Sequence, residues 1–457
     1  MDGRHILAGT ARVDITPTSP VMQGGFGQRT TPHERILDRL HTKALYLRSG
    51  DEELLLVTAD LIAMPSQIAE PVTAALVART GLTPRQICLC ASHTHSGPVP
   101  YDGGVGVGVA DYTSRLLEAL VEVGVSARER ATPSHIGSGV GAVDVFFNRR
   151  TRGQPNHVDP RVAVLTVHDA ADGQVTGVLF GVGCHPVTLG WDNMAISGDF
   201  PGVAQRSIEA ALGADALFFN STEGNVIPVT SPNRNSLDPR GYVGGTYADT
   251  GRIGETIAAE VVRVVSTIVP SADVQLVSQR RDIKVSPRNA EFDLVASQAR
   301  LDAATAVLEE ILGADFEARA QGFLWALASR HVMITDCSEE AMRRLMIAVC
   351  EYLGLRARVA HGRSLRDVTL TVQTIRVGDL HLLALPGEVL VEVGDEWSAL
   401  TGSTQAFIVG LANGHHRYLP MPAHFDEPDA ALHYETVTAG LAPNAMRLAL
   451  DAATEML

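Results

Sequence analysis

The sequence has no Cys-x-x-Cys pair, no surplus of basic residues, and no uninterrupted apolar run of the ~18–20 residues that a membrane-spanning helix needs. Each absence removes a class of function. The 37 Lys and Arg are outnumbered by 52 Asp and Glu, for a formal net charge of -15. Nucleic-acid backbones and anionic lipid surfaces are held by clustered Lys and Arg, so this balance argues against both. No stable membrane insertion is expected. The cysteines are only Cys88, Cys90, Cys184, Cys337 and Cys350, a pattern of reduced thiols rather than a disulfide framework. The N-terminus shows no basic segment followed by an apolar one, so no secretion signal is read and the expected location is cytoplasmic. A compact zinc pattern such as His-Glu-x-x-His is also missing.

What is present is a chain of 457 residues, 45% of them hydrophobic, enough for a large core in a single domain. Residues 42–60 read as a hairpin around Ser49-Gly50-Asp51, followed by a helix over 65–80 that Gly81 ends. Gln86 to Ala91 is a short strand, and 112–127 a helix. A strand pair follows, Val162 to Val167 and Val175 to Gly183. Beyond it come helices at 201–212 and 245–266 with the strand Ala216 to Asn220 between them. Residues 295–313 and 338–353 are helical in pattern. Strands at 368–376, 380–385 and 405–411 enclose a helix at 388–399. Strands alternating with helices predict an α/β fold, a layered mixed sheet flanked by helices. The stretch 287–365 is poor in motifs and is expected to be a helical subdomain or lid of a single catalytic domain.

Ligand sites of α/β sheets gather at strand ends, and three strand ends here carry metal-competent groups. After Gln86 to Ala91 come His93 and His95, which point to one face if the chain is extended; otherwise they are surface loop histidines. His185 follows the run Val178 to Cys184 in the same layout. Glu388 follows Leu385-Pro386-Gly387 and opens a helix, where a carboxylate is also favoured by the helix dipole alone. Two histidines and a carboxylate suit zinc, with a position left for water or substrate.

At these residues the chain resembles the catalytic domain of the neutral, non-lysosomal ceramidases, which are zinc-dependent amidases. The shared landmarks run nearly end to end. They are Ala8 to Pro17, Gly24-Gly25-Phe26-Gly27, Ser92 to Pro98, Asn148-Arg149, His185-Pro186 and Ser197-Gly198-Asp199. Gly224-Asn225 with Pro228, Leu385 to Glu388, Asn413 to Tyr418 and Tyr434-Glu435 complete them. Position by position, the resemblance implies Zn2+ held by His93, His185, Glu388 and Tyr418, the tyrosine being either a phenolate ligand or a mobile donor. It implies substrate contacts from Gly25, His95, Arg149 and Tyr434. The implied reaction is attack of zinc-activated water on an amide carbonyl, with His95, Arg149, Tyr418 or Tyr434 binding the oxyanion or moving a proton.

Four departures shape the expectation. Ile227 stands in Gly224-Asn225-Val226-Ile227-Pro228 where the family carries a serine important for amide cleavage, and isoleucine offers no hydrogen bond. Thr222, Glu223 and Thr230 are the nearby residues able to compensate. The chain stops soon after Tyr434, so the family's C-terminal β-sandwich is expected to be absent, as is its secretion signal. His415 and His416 precede Tyr418, either as replacement ligands or as surface loop histidines. The leading expectation is a cytoplasmic zinc-dependent hydrolase of a C–N (amide) bond in a small soluble metabolite. The alternatives are a zinc-dependent acyl transfer, cyclisation or lyase reaction in small-molecule biosynthesis, and a non-catalytic metal-binding protein.

Overall fold

Segments that read as unbroken apolar runs are strands buried on both faces, and this sets the architecture. A computed structural model of the chain describes residues 6–26, 29, 31–99, 109–150, 156–230, 245–288, 293–314, 316, 341, 344, 345, 347–349, 351, 352, 355, 356, 359, 366–428, 430 and 433–457. Gly27, Cys337, Cys350 and half of the helix expected over 338–353 lie outside them.

The first half builds β1 (Ile6–Asp14), β2 (Arg35–Ile36), β3 (His41–Ser49), β4 (Glu52–Ala59) and β5 (Ile87–Ala91). It continues with β6 (Thr132–Ala142), β7 (Phe146–Asn148), β8 (Arg161–Asp169), β9 (Val175–Val182), β10 (Ala195–Ile196), β11 (Asp215–Asn220) and β12 (Val226–Pro228). Eight of these form one sheet in the order β11-β9-β8-β6-β1-β3-β4-β5. It is mixed: β4 with β5 and β9 with β11 are parallel, the inner pairs antiparallel. The second half adds β13 (Leu276–Val285), β14 (Val368–Val377), β15 (Leu380–Ala384), β16 (Glu388–Val389), β17 (Ala406–Val409) and β18 (Tyr418–Leu419). A four-stranded sheet runs β13-β14-β15-β17.

Alternate side chains of each strand go to different cores. Leu54, Leu56, Cys88, Cys90, Leu217 and Phe219 of the large sheet pack against Ile375, Leu380, Leu382 and Phe407 of the small one. Their neighbours Leu55, Val57, Ile87 and Leu89 face the other way, onto α1 (Ser66–Thr80) and α2 (Val109–Glu129). Val164, Phe180 and Phe218 likewise meet α3 (Asp199–Leu212) and α4 (Tyr247–Val265). On the far side of the small sheet, Leu383 and Ile408 pack on α6 (Val391–Thr401) and α8 (Ala445–Thr454), while α5 (Leu294–Leu312) and α7 (Tyr434–Thr438) stand apart from that layer. The result is a four-layer sandwich of helices, sheet, sheet and helices, the layered mixed α/β fold expected from the sequence.

Besides the strands of two or three residues, two long strands escaped the sequence reading, for different reasons. β6 carries Gly137, Gly139 and Gly141 facing α4, where a Cβ would strike Ile268, Val264 or Glu260, so its helix-facing side has no apolar side chains to count. β13 is a charged edge strand holding Arg280, Arg281 and Asp282. Between β13 and β14, α5 carries a separate small cluster of Leu308, Leu312, Phe316, Leu345, Val349 and Tyr352, against which Tyr434 packs. One expectation needs correcting: Glu388 does not open a helix. It lies in β16, paired in parallel with β18 so that Glu388 stands beside Tyr418, and α6 begins at Val391.

Candidate metal centre and active-site cavity

The ends of β5, β9, β11, β15 and β17 converge because the two sheets stack with these parallel edge strands pointing one way, as ligand sites of α/β sheets require. Beyond β5 the chain does not stay extended. His93 has φ 71, a left-handed conformation that costs a non-glycine residue on the order of 1–3 kcal/mol. The expected meeting of His93 and His95 therefore occurs, with Nε2 atoms 3.3 Å apart, through a kink rather than strand alternation. Hydrogen bonds from His93 N to Leu61 O and from Ser92 N to Ala59 O hold the kink against the end of β4.

His185 arrives from β9. Its Nε2 lies 3.3 Å from Glu388 Oε2 and 3.4 Å from the Tyr418 hydroxyl. His93 Nε2 is 3.5 Å from the same Glu388 oxygen. The ring nitrogens of His93, His95 and His185 all lie within 4.8 Å of one another. The far nitrogens are tethered to backbone: His93 Nδ1 to Ile62 O at 2.6 Å, His185 Nδ1 to Glu223 O at 2.5 Å. A carbonyl accepts only from an N–H, so both Nε2 lone pairs face the common centre.

These donors fit zinc. A tetrahedral ion with bonds of about 2.0–2.1 Å separates its ligand atoms by about 3.3 Å, close to the 3.5 Å from His93 to Glu388, the 3.3 Å from His185 to Glu388 and the 3.4 Å from His185 to Tyr418. Charge agrees as well. Burial and then the nearby Arg149 push His185 down to about 4, so it is neutral and able to ligate. Burial raises Glu388, but His93, His185 and His415 more than offset this and hold its carboxyl well below the usual range.

Arg149 closes the site. It donates from Nη2 to the Tyr418 hydroxyl and to Gly224 O, both at 3.0 Å, and from Nε to Glu435 Oε1 at 2.8 Å. Burial raises the Tyr418 phenol, as does Glu388, while Arg149 lowers it; the net shift is upward, away from phenolate. Tyr434 stacks edge-on against Tyr418 at 5.5 Å, with Arg149 near both rings.

The remaining expected residues separate. His95, Gly25, Arg149 and Tyr434 line a cavity of about 400 Å³ that opens onto the donors. Gly25 has φ 89, and a Cβ there would lie 2.4 Å from the His95 ring, so only glycine lets the loop pass. Ile227 does not face the cavity. Expected as a substrate contact, it is fully buried against Phe26 and Val187, two residues that line the cavity, with Phe147 beside it. Glu223 contributes through its backbone carbonyl; its carboxyl and the Thr222 hydroxyl are buried and away from the cavity. His415 lines the cavity with Nε2 3.4 Å from Glu388 Oε1, whereas His416 turns out to Thr369 O. The sequence reading missed Gln23, Ile62, Val99, Val187, Arg417 and Thr438 in the lining, and the role of Glu435. Val187 could have been flagged by its nearness to His185, and Arg417 and Glu435 by the shared segments Asn413 to Tyr418 and Tyr434-Glu435 in which they lie.

The architecture can now be compared with known structures. The chain superposes over its whole length on 74% of neutral ceramidase from Pseudomonas aeruginosa, with a TM-score of 0.71 at 20% identity. A ceramidase complexed with C2 matches 99% of it at a TM-score of 0.69 and 19% identity. The chain has the neutral-ceramidase fold. In sequence it is 23% identical to the neutral ceramidase of Mycobacterium tuberculosis over 452 residues, covering 88% of this chain and 69% of that protein. No family model matches it. Among ceramidase-like chains it is divergent.

Proposed function

We propose that the protein is a zinc-dependent hydrolase of a carbon–nitrogen (amide) bond in a small soluble metabolite. The observation that carries this reading is that His93, His185, Glu388 and Tyr418 meet beside a cavity of about 400 Å³, with His93–Glu388, His185–Glu388 and His185–Tyr418 separations of 3.5, 3.3 and 3.4 Å. The likeness to neutral ceramidases supports it. A zinc ion there supplies Lewis acidity, polarising a carbonyl and bringing the pKa of a water towards about 7. The residues of the chain do the rest. Arg149, fixed by Glu435, presents its guanidinium beside the Tyr418 hydroxyl, where it stabilises negative charge developing on a carbonyl oxygen. His95 borders the same space and is placed to carry a proton between the attacking water and the departing amine. A cytoplasmic location belongs to this reading, supported by free, buried thiols at Cys88, Cys90 and Cys184.

The test is metal content with activity. Wild-type protein is expected to hold one zinc per chain, and His93→Ala with His185→Ala to hold none and to lose hydrolysis of N-acyl substrates. Retention of metal and activity by the double variant would overturn the reading. A second reading, acyl transfer or cyclisation on the same centre, draws on Ile227: the wall beneath Phe26 and Val187 offers carbon where the family has a hydroxyl. Reaction in 18O-labelled water separates the two, since hydrolysis puts one solvent oxygen into the acid product and cyclisation puts none.

A further inference from the structure

One short turn holds both His185 and Arg149. The carbonyls of Glu223, Gly224, Asn225 and Val226 follow one another, and each accepts from one of these two residues. Glu223 O accepts from His185 Nδ1 at 2.5 Å, and Val226 O from His185 N at 2.9 Å. Between them, Gly224 O accepts from Arg149 Nη2 at 3.0 Å and Asn225 O from Arg149 N at 2.9 Å. The turn also rests on β16. Gly224 N donates to Val389 O at 2.8 Å, and a Cβ on Gly224 would lie 2.9 Å from Glu388 O. A shift of this turn therefore moves the imidazole and the guanidinium together.

The side chain of Asn225 ties the turn to α6. It is fully buried, and both ends of its amide are engaged. Oδ1 accepts from Val391 N at 3.0 Å, the first N–H of α6, where the N-cap residue Leu390 supplies no side-chain acceptor. Nδ2 donates to the two Glu392 oxygens at 3.1 and 3.4 Å. Burial raises the Glu392 carboxyl, but the hydrogen bond and charge of His424, with its own backbone N–H and His157, more than offset this and hold it below its usual range. An ionised carboxylate only accepts, and a backbone N–H only donates, so the two partners fix the amide the same way round.

We infer that Asn225, with Glu392 as its partner, is a positioning residue for both sides of the donor cluster. It pins the turn to α6, so that His185 keeps its Nδ1–H on Glu223 O and its Nε2 lone pair towards Glu388 and Tyr418. The same anchor keeps the Arg149 guanidinium beside the Tyr418 hydroxyl. The inference rests on the zinc-hydrolase reading for its zinc and turnover readouts only. The setting of His185 is measured without metal or substrate, which allows the two ideas to fail separately.

Two variants are compared with wild type. Asn225→Leu has nearly the same shape and removes both bonds. The double variant Asn225→Asp with Glu392→Gln re-forms them, the aspartate accepting from Val391 N and from the glutamine amide. The first readout is the long-range proton–nitrogen spectrum of histidine-labelled, metal-free protein, with the His185 signal assigned by its loss in His185→Gln. The His185 Nδ1–H is expected to exchange slowly in wild type, to be lost to fast exchange in Asn225→Leu, and to return in the double variant. The second readout uses zinc, by competition with a chelator, and turnover of hexanoyl-p-nitroanilide by the zinc-loaded protein. Asn225→Leu is expected to lose about 10–100-fold in zinc affinity and kcat, with KM little changed, and the double variant to regain most of it. An unchanged His185 signal in Asn225→Leu, or a folded double variant that does not regain it, would overturn the inference. If Asn225→Leu does not fold, Asn225→Ser, too short to span both bonds, is judged by the same criterion. Loss and return of the signal in a protein that neither binds zinc nor cleaves the anilide would uphold the positioning role and sink the hydrolase reading.

Discussion

Two parts of one cavity are built on opposite principles. The donor side gathers His93, His185, Glu388 and Tyr418 from four strand ends, buries them almost completely, and ties both imidazoles to backbone carbonyls. The recognition side offers carbon from Phe26, Ile62, Val99 and Val187, backed by Ile227, with Arg417 also among the described lining residues. On the donor side each group is positioned by another, so a change propagates. On the recognition side the contacts are with whatever enters, so a change alters selectivity and little else. Chemistry that a fold can retain is therefore separated from specificity that a few substitutions can rewrite.

The sharpest way to break the comparison is through Glu435. It pairs with Arg149 at 2.8 Å and stands 3.6 Å from Arg150, with its side chain 3% exposed. Glu435→Gln keeps the shape and removes the charge, leaving the buried Arg149 guanidinium without its carboxylate while Arg150 keeps Glu427 at 2.6 Å. Loss of one member of a buried pair costs roughly 3–5 kcal/mol. Urea unfolding should show a loss of that order. In the folded fraction kcat should fall more than KM rises, because Arg149 would no longer be fixed beside Tyr418. Unchanged stability and kcat would mean that the donor side is less interdependent than its geometry implies.

Acid should act next, and on the donor side it acts through His185. His185 has a folded pKa of about 4 against an ordinary 6.5, lowered by burial and then by Arg149. A histidine whose folded pKa lies below its unfolded one contributes stability that is complete above the unfolded value. That contribution is lost as pH falls from 6.5 towards 4, because the unfolded chain takes the proton first. The full difference amounts to about 3 kcal/mol. Chelated protein should therefore lose stability progressively across that window in denaturant titrations. Zinc should move the loss to lower pH by competing with the proton. A flat profile between 6.5 and 4 in the chelated protein would contradict the burial of a neutral His185.

How much of this was legible in sequence follows the same division. The strands ending at His93 and His185 were readable because strands buried on both faces are unbroken apolar runs. Glu388 was found as a strand-end acid, yet its setting was not: the β16–β18 pairing joins residues far apart in sequence, and no local pattern announces a two-residue strand. The left-handed turn at His93 carries no glycine to mark it. Arg417 lies in the shared segment Asn413 to Tyr418, but only the pairing of the next residue with β16 sets it on the cavity. Ile227 was conspicuous only against the resemblance, and it needed the packing of Phe26 and Val187 to become a wall rather than a contact.

The smallest effect gives the finest test of the boundary between the two sides. His415 and His416 are neighbours in sequence and looked equivalent as candidate ligands, but the chain sends them apart. His415 reaches Glu388 Oε1 at 3.4 Å and lines the cavity. His416 is directed to Thr369 O at 3.1 Å, on β14. His416→Ala gives up one such bond, worth about 1 kcal/mol of stability, and should leave kcat/KM within roughly twofold. His415→Ala removes a partner of a metal-binding carboxylate, and losses of such partners typically cost about 10–100-fold in metal affinity or activity. Because the two variants differ by a single position, parallel zinc titrations compare them directly. Equal losses would place the loop, rather than His415 itself, in control of Glu388. A loss confined to His415 would draw the edge of the donor side between two adjacent residues.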